Sequence, residues 1–219
     1  LLITLLVGVV FTTIASAQKS IDDLIANEIN SLVSIYKTLH AMPELSGQEE
    51  KTSAFLAKEL RGLGYSVTEG LGKWADRQWK GHGVVALMKN GEGPTVLVRA
   101  DMDGLPVEEK TDLPYASKVR VKAADGREVG VMQACGHDVH VASLIGTARM
   151  LVQLKDQWRG TVMLIGQPAE ENGAGARAMV NDGLYTKFPR PNFTLALHVQ
   201  NTLPAGKVGY VSGHFMAGS

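Results

Sequence analysis

The sequence predicts an α/β fold in which a mixed, largely parallel sheet is flanked by helices. Residues 161–167 and 193–199 are continuous apolar runs, which are typical of strands buried on both faces. Segments with a helical apolar period separate these runs, and such alternation indicates a sheet covered by helices. The 24 glycines also suit a loop-rich α/β protein better than a helical bundle.

Composition limits the class of protein further. The chain has 219 residues, of which 45% are hydrophobic and 20% are charged, so it can bury a substantial core. Its 22 Lys and Arg balance its 22 Asp and Glu, which argues against nucleic acid or an anionic membrane as a partner. The single cysteine cannot form an internal disulfide.

The amino-terminal end resembles an export signal. Residues 1–14 are apolar and are followed by Ala15, Ser16 and Ala17, the small residues that signal peptidase recognises. We expect residues 1–17 to be a signal peptide whose basic n-region is missing, and residues 18–219 to form the mature domain. This predicts export to the periplasm or the medium, with no stable membrane span after cleavage; a retained anchor is the alternative.

Two amphipathic helices are predicted next. Ser20 and Asp23 form a capping-box pattern before an apolar helical repeat that stops at Pro43. Ser46 and Glu49 repeat that start signal before a second apolar stripe, which ends at glycines.

The remaining elements alternate between strand and helix. YSVTE reads as a strand, and residues 83–101 hold two β-rich runs joined by NGEG, which predicts a hairpin. The later predictions are a helix over 139–154, a strand over 161–167, a helix over 173–182 and a strand over 193–199.

Residues able to bind metal follow several of the predicted strands. In open α/β sheets, functional groups gather beyond the carboxyl ends of the strands. These candidates are Asp101 and Asp103 after one strand, Glu170 and Glu171 after another, His198 within a third, and Cys135, His137 and His140 before a helix. They combine thiolate, imidazole and carboxylate, which are the ligand types that hold zinc and similar divalent ions.

Each of these residues also has an ordinary structural explanation. A lone cysteine is often a small buried hydrophobe, and His198 within an apolar run could be a core histidine. Asp101 and Asp103 could end a strand, and adjacent glutamates could lie on a solvated loop. A shared metal ion explains all of them together, with one glutamate binding the ion and its neighbour accepting a proton from water.

Four motifs resemble a known family. CGHDVH, PAEE, ADMDGLP and LHV, supported by LHAMPELSGQE, resemble the M20 metallopeptidases, specifically the aminoacylase-like amidohydrolases. This branch includes hippurate hydrolases, N-acyl amino acid amidohydrolases and indole-acetyl amino acid hydrolases. The resemblance implies a zinc-exopeptidase-like catalytic domain, truncated before a lid and dimerisation domain.

The resemblance implies a role for each matching position. Cys135, His137, Glu171 and His198 would be metal ligands, and Glu170 the general base that later protonates the leaving amine. Asp103 would orient a ligand or the base, Asp101 stands where other branches have a ligand histidine, and His140 would contact the substrate or support the ligands from outside. His214 matches no ligand position.

The resemblance also implies cofactors and partners. Two divalent ions per site are expected, with zinc, manganese and cobalt all open, and a homodimer is compatible with the full-length protein. The expected substrate is an N-acyl amino acid, hippurate-like or N-acetylated, whose amide bond is hydrolysed. An exopeptidase or dipeptidase of the same fold, and a secreted metal-binding module without catalysis, remain the alternatives. GxSxG, HExxH and phosphate-binding glycine motifs are absent from the sequence.

Overall fold

A computed structural model describes residues 20–122 and 126–210 of the chain. The described helices are α1 (Ile21–Ala41), α2 (Glu50–Gly62), α3 (His137–Gln153), α4 (Gly175–Asn181) and α5 (Leu184–Lys187). The described strands are β1 (Ser66–Leu71), β2 (Gly83–Asn90), β3 (Thr95–Asp101), β4 (Arg120–Lys122), β5 (Glu128–Gly130), β6 (Gly160–Gln167) and β7 (Phe193–Ala196). The predicted signal peptide and His214 lie outside the described residues, so export stays a prediction.

The central sheet confirms the predicted fold class. It has five strands in the order β1-β2-β6-β3-β7, and β4 pairs with β5 in a separate small sheet. Strand β6 is parallel to β3, which is parallel to β7, whereas β2 is antiparallel to both of its neighbours. Strands β1, β6, β3 and β7 therefore point the same way, and their carboxyl ends share one edge of the sheet.

Helices cover both faces of this sheet. Along β6, Val162 and Leu164 pack into a core cluster with residues of α1, α2 and α3, while Met163 and Ile165 pack into a second cluster with residues of α4 and α5. This alternation follows from the two-residue side-chain period of a strand. It confirms that the apolar run over 161–167 is buried on both faces.

The hairpin predicted over residues 83–101 is wrong, because β2 and β3 lie on opposite sides of β6 and do not pair. The loop between them crosses the start of β6, spanning about 10 Å for two strand spacings. A Cβ on Gly93 would lie 2.8 Å from the Arg159 carbonyl oxygen, and one on Gly160 would lie 2.3 Å from the Pro94 carbonyl oxygen. Gly93, which belongs to the NGEG sequence that suggested a tight turn, thus allows a close crossing together with Gly160.

The first helix starts as predicted, but the second does not. The Ser20 hydroxyl accepts a hydrogen bond from the Asp23 amide, and the Asp23 carboxylate accepts one from the Ser20 amide. Helix α2 begins after Glu49, whose side chain makes no capping hydrogen bond. Ser46 instead donates to Asp103, 2.6 Å away. None of the described helices has both the length and the apolar composition that a bilayer crossing requires.

The last strand is shorter and more exposed than predicted. Strand β7 ends at Ala196, so His198 lies in the loop that follows, and every residue of the strand is exposed. The physical reason is its position at the sheet edge, where it pairs only with β3.

Candidate metal centre

The candidate residues meet at the shared edge of the sheet. Asp101 is the last residue of β3, Glu170 and Glu171 follow β6, and His198 follows β7. His137 is the first residue of α3, and helix α3 packs against β3. Parallel strand direction therefore brings together side chains that are far apart in the chain.

His137 is at the centre of the site. Its Nδ1 lies 3.4 Å from Asp103, and its Nε2 lies 3.6 Å from Asp101 and 3.7 Å from both Glu170 and Glu171. The imidazole is fully buried, yet neither ring nitrogen has a hydrogen-bond partner, and Glu171 Oε1 also lacks one. Such unpaired buried polar atoms cost free energy, which a bound ion would recover.

Cys135 and His198 lie next to each other on one side of the site. The Nδ1 of His198 donates to the Val199 carbonyl, 2.6 Å away, which leaves Nε2 as the free ring nitrogen. This Nε2 lies 3.5 Å from the Cys135 sulfur. Gly136 has φ of +84°, and a Cβ there would lie 2.5 Å from Val199 Cγ2. Glycine therefore permits the close approach of the two loops.

His140 and Asp101 form a buried pair behind these residues. Because the Val199 amide donates to Nε2 of His140 at 2.9 Å, the ring proton must be on Nδ1. That nitrogen donates to Asp101 at 2.6 Å, and Arg99 lies 2.7 Å from the other oxygen of Asp101. Both ring nitrogens of His140 are engaged, so neither is free for substrate or an ion.

Three groups in the described part of the chain have the spacing to hold an ion, and His137 belongs to each. They are Cys135 with His137 and His198, His137 with Glu170 and Glu171, and Asp101 with His137 and His140. In the last group, Asp101 and His140 are already joined by a hydrogen bond. The first two contain all four predicted ligands.

The local charge also fits a divalent cation. Burial and, after it, the hydrogen bond and charge of Glu171 together raise the pKa of the Cys135 thiol to about 12. Although burial opposes it, the hydrogen bond from His140 lowers the pKa of Asp101 to about 2, so this carboxylate is ionised. A bound cation would balance these carboxylates and stabilise the thiolate.

Asp103 supports the turn that carries the two glutamates. Its Oδ1 accepts a hydrogen bond from the Glu170 amide at 3.1 Å, and its Oδ2 accepts one from the Glu171 amide at 3.0 Å. Ser46 donates to the same carboxylate. The sequence pattern placed Ser46 at a helix start, so this contact was missed.

A second buried histidine anchors the start of α3. His40 Nδ1 lies 2.7 Å from Asp138, and its Nε2 lies 3.0 Å from Glu109. The rings of Tyr36 and Tyr115 lie 5.5 Å from the imidazole. Because both nitrogens face carboxylates, which favours the protonated ring, His40 links α1, the loop at 102–119 and the residue after His137. His40 belongs to the LHAMPELSGQE motif, but no role was predicted for it from the sequence.

The His40 network predicts a pH dependence of stability. Burial lowers the pKa of His40, but hydrogen bonds to Glu109 and Asp138 outweigh it and raise the pKa above 6.5. Its stabilising effect is therefore complete below pH 6.5 and is lost as pH rises through the raised pKa. We expect urea titrations to show a steeper loss of stability with pH in this range for the wild type than for His40→Gln. Parallel profiles would contradict the network.

A cavity of about 450 Å³ adjoins the turn after Glu171. It lies between residues 73–76, which follow β1, and residues 172–181, and its lining includes Trp74, Lys73 and Arg177. Its volume is in the range of small-molecule sites.

Known proteins are similar to this chain in sequence. The profile of peptidase family M20/M25/M40 matches residues 97–213. Thermostable carboxypeptidase 1 of Saccharolobus solfataricus is 40% identical over 85% of this chain and 43% of its own length. N-acetyl-L-cysteine deacetylase of Bacillus subtilis is 39% identical over 85% of this chain and 40% of its own length.

A solved structure extends the comparison to the fold. The YXEP protein of Bacillus subtilis, a dinuclear metal binding peptidase from the M20 family, superposes with a TM-score of 0.72 at 35% identity, covering 86% of this chain and 48% of that chain. The chain thus spans less than half the length of these relatives. With the family profile matching more than half of its residues, the chain belongs to peptidase family M20/M25/M40.

Proposed function

We propose that this protein is a metal-dependent amidohydrolase that cleaves the amide bond of N-acyl amino acids. The observation that carries the proposal is the buried, unpaired imidazole of His137, which faces four carboxylates beside Cys135 and His198. The residues that would hold divalent metal are Cys135, His137, Glu171 and His198. The dinuclear metal binding of the YXEP protein supports two ions, and zinc, manganese and cobalt all suit this donor set.

When bound, the metal lowers the pKa of a water ligand and polarises the substrate carbonyl. Glu170 is the proposed general base, because its side chain is 38% exposed and reaches both the site and solvent. It accepts a proton from water as the water oxygen bonds to the amide carbon. The C–N bond then breaks, and Glu170 returns the proton to the amine nitrogen, which leaves as the free amino acid.

Other protein groups hold this machinery in position. Asp103 fixes the backbone of Glu170 and Glu171 through their amides. Asp101 and His140 fix the backbone beside His198. The similarity to an N-acetyl-L-cysteine deacetylase supports a small-molecule acyl amino acid as the substrate.

A carboxypeptidase or dipeptidase is the second candidate, favoured by the similarity to a thermostable carboxypeptidase. A substrate panel of hippurate, N-acetyl-L-cysteine and dipeptides separates the two. We expect the intact protein to have the highest kcat/KM on the acylated amino acids. A preference for dipeptides would favour the second candidate.

Removal of metal tests the proposal directly. Chelation is expected to reduce hydrolysis by about a hundredfold or more, and zinc, manganese or cobalt should restore it. Hydrolysis that survives complete chelation would contradict a metal-dependent mechanism. Metal binding without hydrolysis of any panel member would instead support a non-catalytic module.

A further inference from the structure

Three consecutive amides in the turn after β6 donate to buried carboxylates. The Glu170 and Glu171 amides bind Asp103, and the preceding amide, that of Ala169, donates to Glu49 Oε1 at 2.7 Å. Asp103 lies two residues after the end of β3, whereas Glu49 directly precedes α2. The turn that presents the proposed general base is therefore held from two different elements.

The turn needs this support because its backbone is unusual. Ala169 has φ of +48°, a left-handed conformation that is unfavourable for a residue with a Cβ. The Gly175 amide donates to the Ala169 carbonyl at 3.0 Å, and a Cβ on Gly175 would lie 1.6 Å from the Pro168 carbonyl oxygen. The conformation at Ala169 persists only while its neighbours enforce it.

Glu49 is an unexpected residue to find in this position. It is fully buried, and no cation pairs with it within the described ranges. Its side chain makes no capping bond to α2, and its Oε2 has no hydrogen-bond partner. Burying a carboxylate without a cation costs free energy, and Glu49 does not recover it by capping α2. The contact that Glu49 does make is with the residue before Glu170.

We infer that Glu49 is a positioning residue for Glu170. Its Oε1 holds the Ala169 amide, and this fixes the direction in which the chain presents the Glu170 carboxylate to the site, 3.7 Å from His137 Nε2. The inference rests on the proposed function, in which Glu170 transfers the proton. The proposed role requires only that Oε1 accepts the Ala169 hydrogen bond. An uncharged side chain with an oxygen in the same place therefore fulfils it.

Four variants test this role in the intact, metal-loaded protein. Glu49→Leu removes the acceptor, and we expect kcat on an N-acyl amino acid to fall about tenfold or more, with KM and metal content little changed. Glu49→Gln keeps an oxygen at the same reach and should retain kcat within about threefold. Glu49→Asp keeps the charge but withdraws the oxygen, so its kcat should lie below that of Glu49→Gln. The neighbouring exposed residue supplies the control, Glu50→Gln, which should behave as the wild type.

The outcomes separate this inference from the proposed function. An active wild type with an equally active Glu49→Leu variant would overturn the inference alone. A wild type that hydrolyses no panel member would overturn the proposed function and the inference with it. If Glu49→Leu fails to fold, the comparison of Glu49→Asp with Glu49→Gln decides, and an aspartate variant as active as the glutamine variant overturns the inference.

Discussion

Replacing Glu170 with glutamine is expected to lower kcat by about a hundredfold or more while the metal stays bound. Glutamine has nearly the same shape but cannot accept the proton from water at neutral pH. The Glu170 amide would still donate to Asp103, so the turn keeps its support. Steady-state kinetics on an N-acyl amino acid, with elemental analysis of the same sample, measures both quantities.

Glu171→Gln is the matched comparison, because it makes the same chemical change one residue later. Glu171 is a proposed ligand, so this variant should lose metal as well as turnover. Near-normal turnover of Glu170→Gln would reject its role as the base. Loss of metal from Glu170→Gln would reassign it as a ligand.

Replacing His137 with alanine is expected to have the largest effect on metal binding. Among the described residues, His137 belongs to each of the three groups whose spacing could hold an ion, so its loss disrupts all three. Removing a residue that merely supports a ligand typically lowers metal affinity tenfold to a hundredfold, so loss of this ligand should exceed about a hundredfold. Competition with a metal-binding dye measures the affinity directly, without relying on turnover.

His40→Gln provides the control for that experiment. His40 is another buried histidine, held between Glu109 and Asp138, but it belongs to none of the three groups whose spacing could hold an ion. We expect this variant to keep its metal affinity while losing stability at acidic pH. Wild-type affinity in His137→Ala would contradict the proposed metal centre.

Much of the fold and the candidate site follows from local sequence patterns. The apolar run of β6 predicted a strand buried on both faces, and Ser20 with Asp23 predicted the start of α1. The rule that functional groups gather beyond parallel strand ends predicted that Asp101, Glu171 and His198 would meet.

Other features depend on contacts that local patterns do not contain. Strand β6, which is far from NGEG in the chain, lies between β2 and β3. The local turn pattern could not reveal this, so NGEG was misread as a hairpin turn. The side chain of Glu49 binds an amide 120 positions away in the chain. A helix-start pattern describes only the next few residues, so it cannot reveal such a partner. His198 was expected in a buried strand, but β7 ends before it at an exposed edge.

The insertion of β6 between β2 and β3 also shapes how the protein folds. Val84 pairs with Gly166 and Thr95 with Thr161, so the centre of the sheet has a high contact order. During synthesis, β2 and β3 emerge first and remain without their main partner until β6 leaves the ribosome. Until then β3 has both edges open and β2 has one edge open, and such unpaired edges of apolar strands favour aggregation.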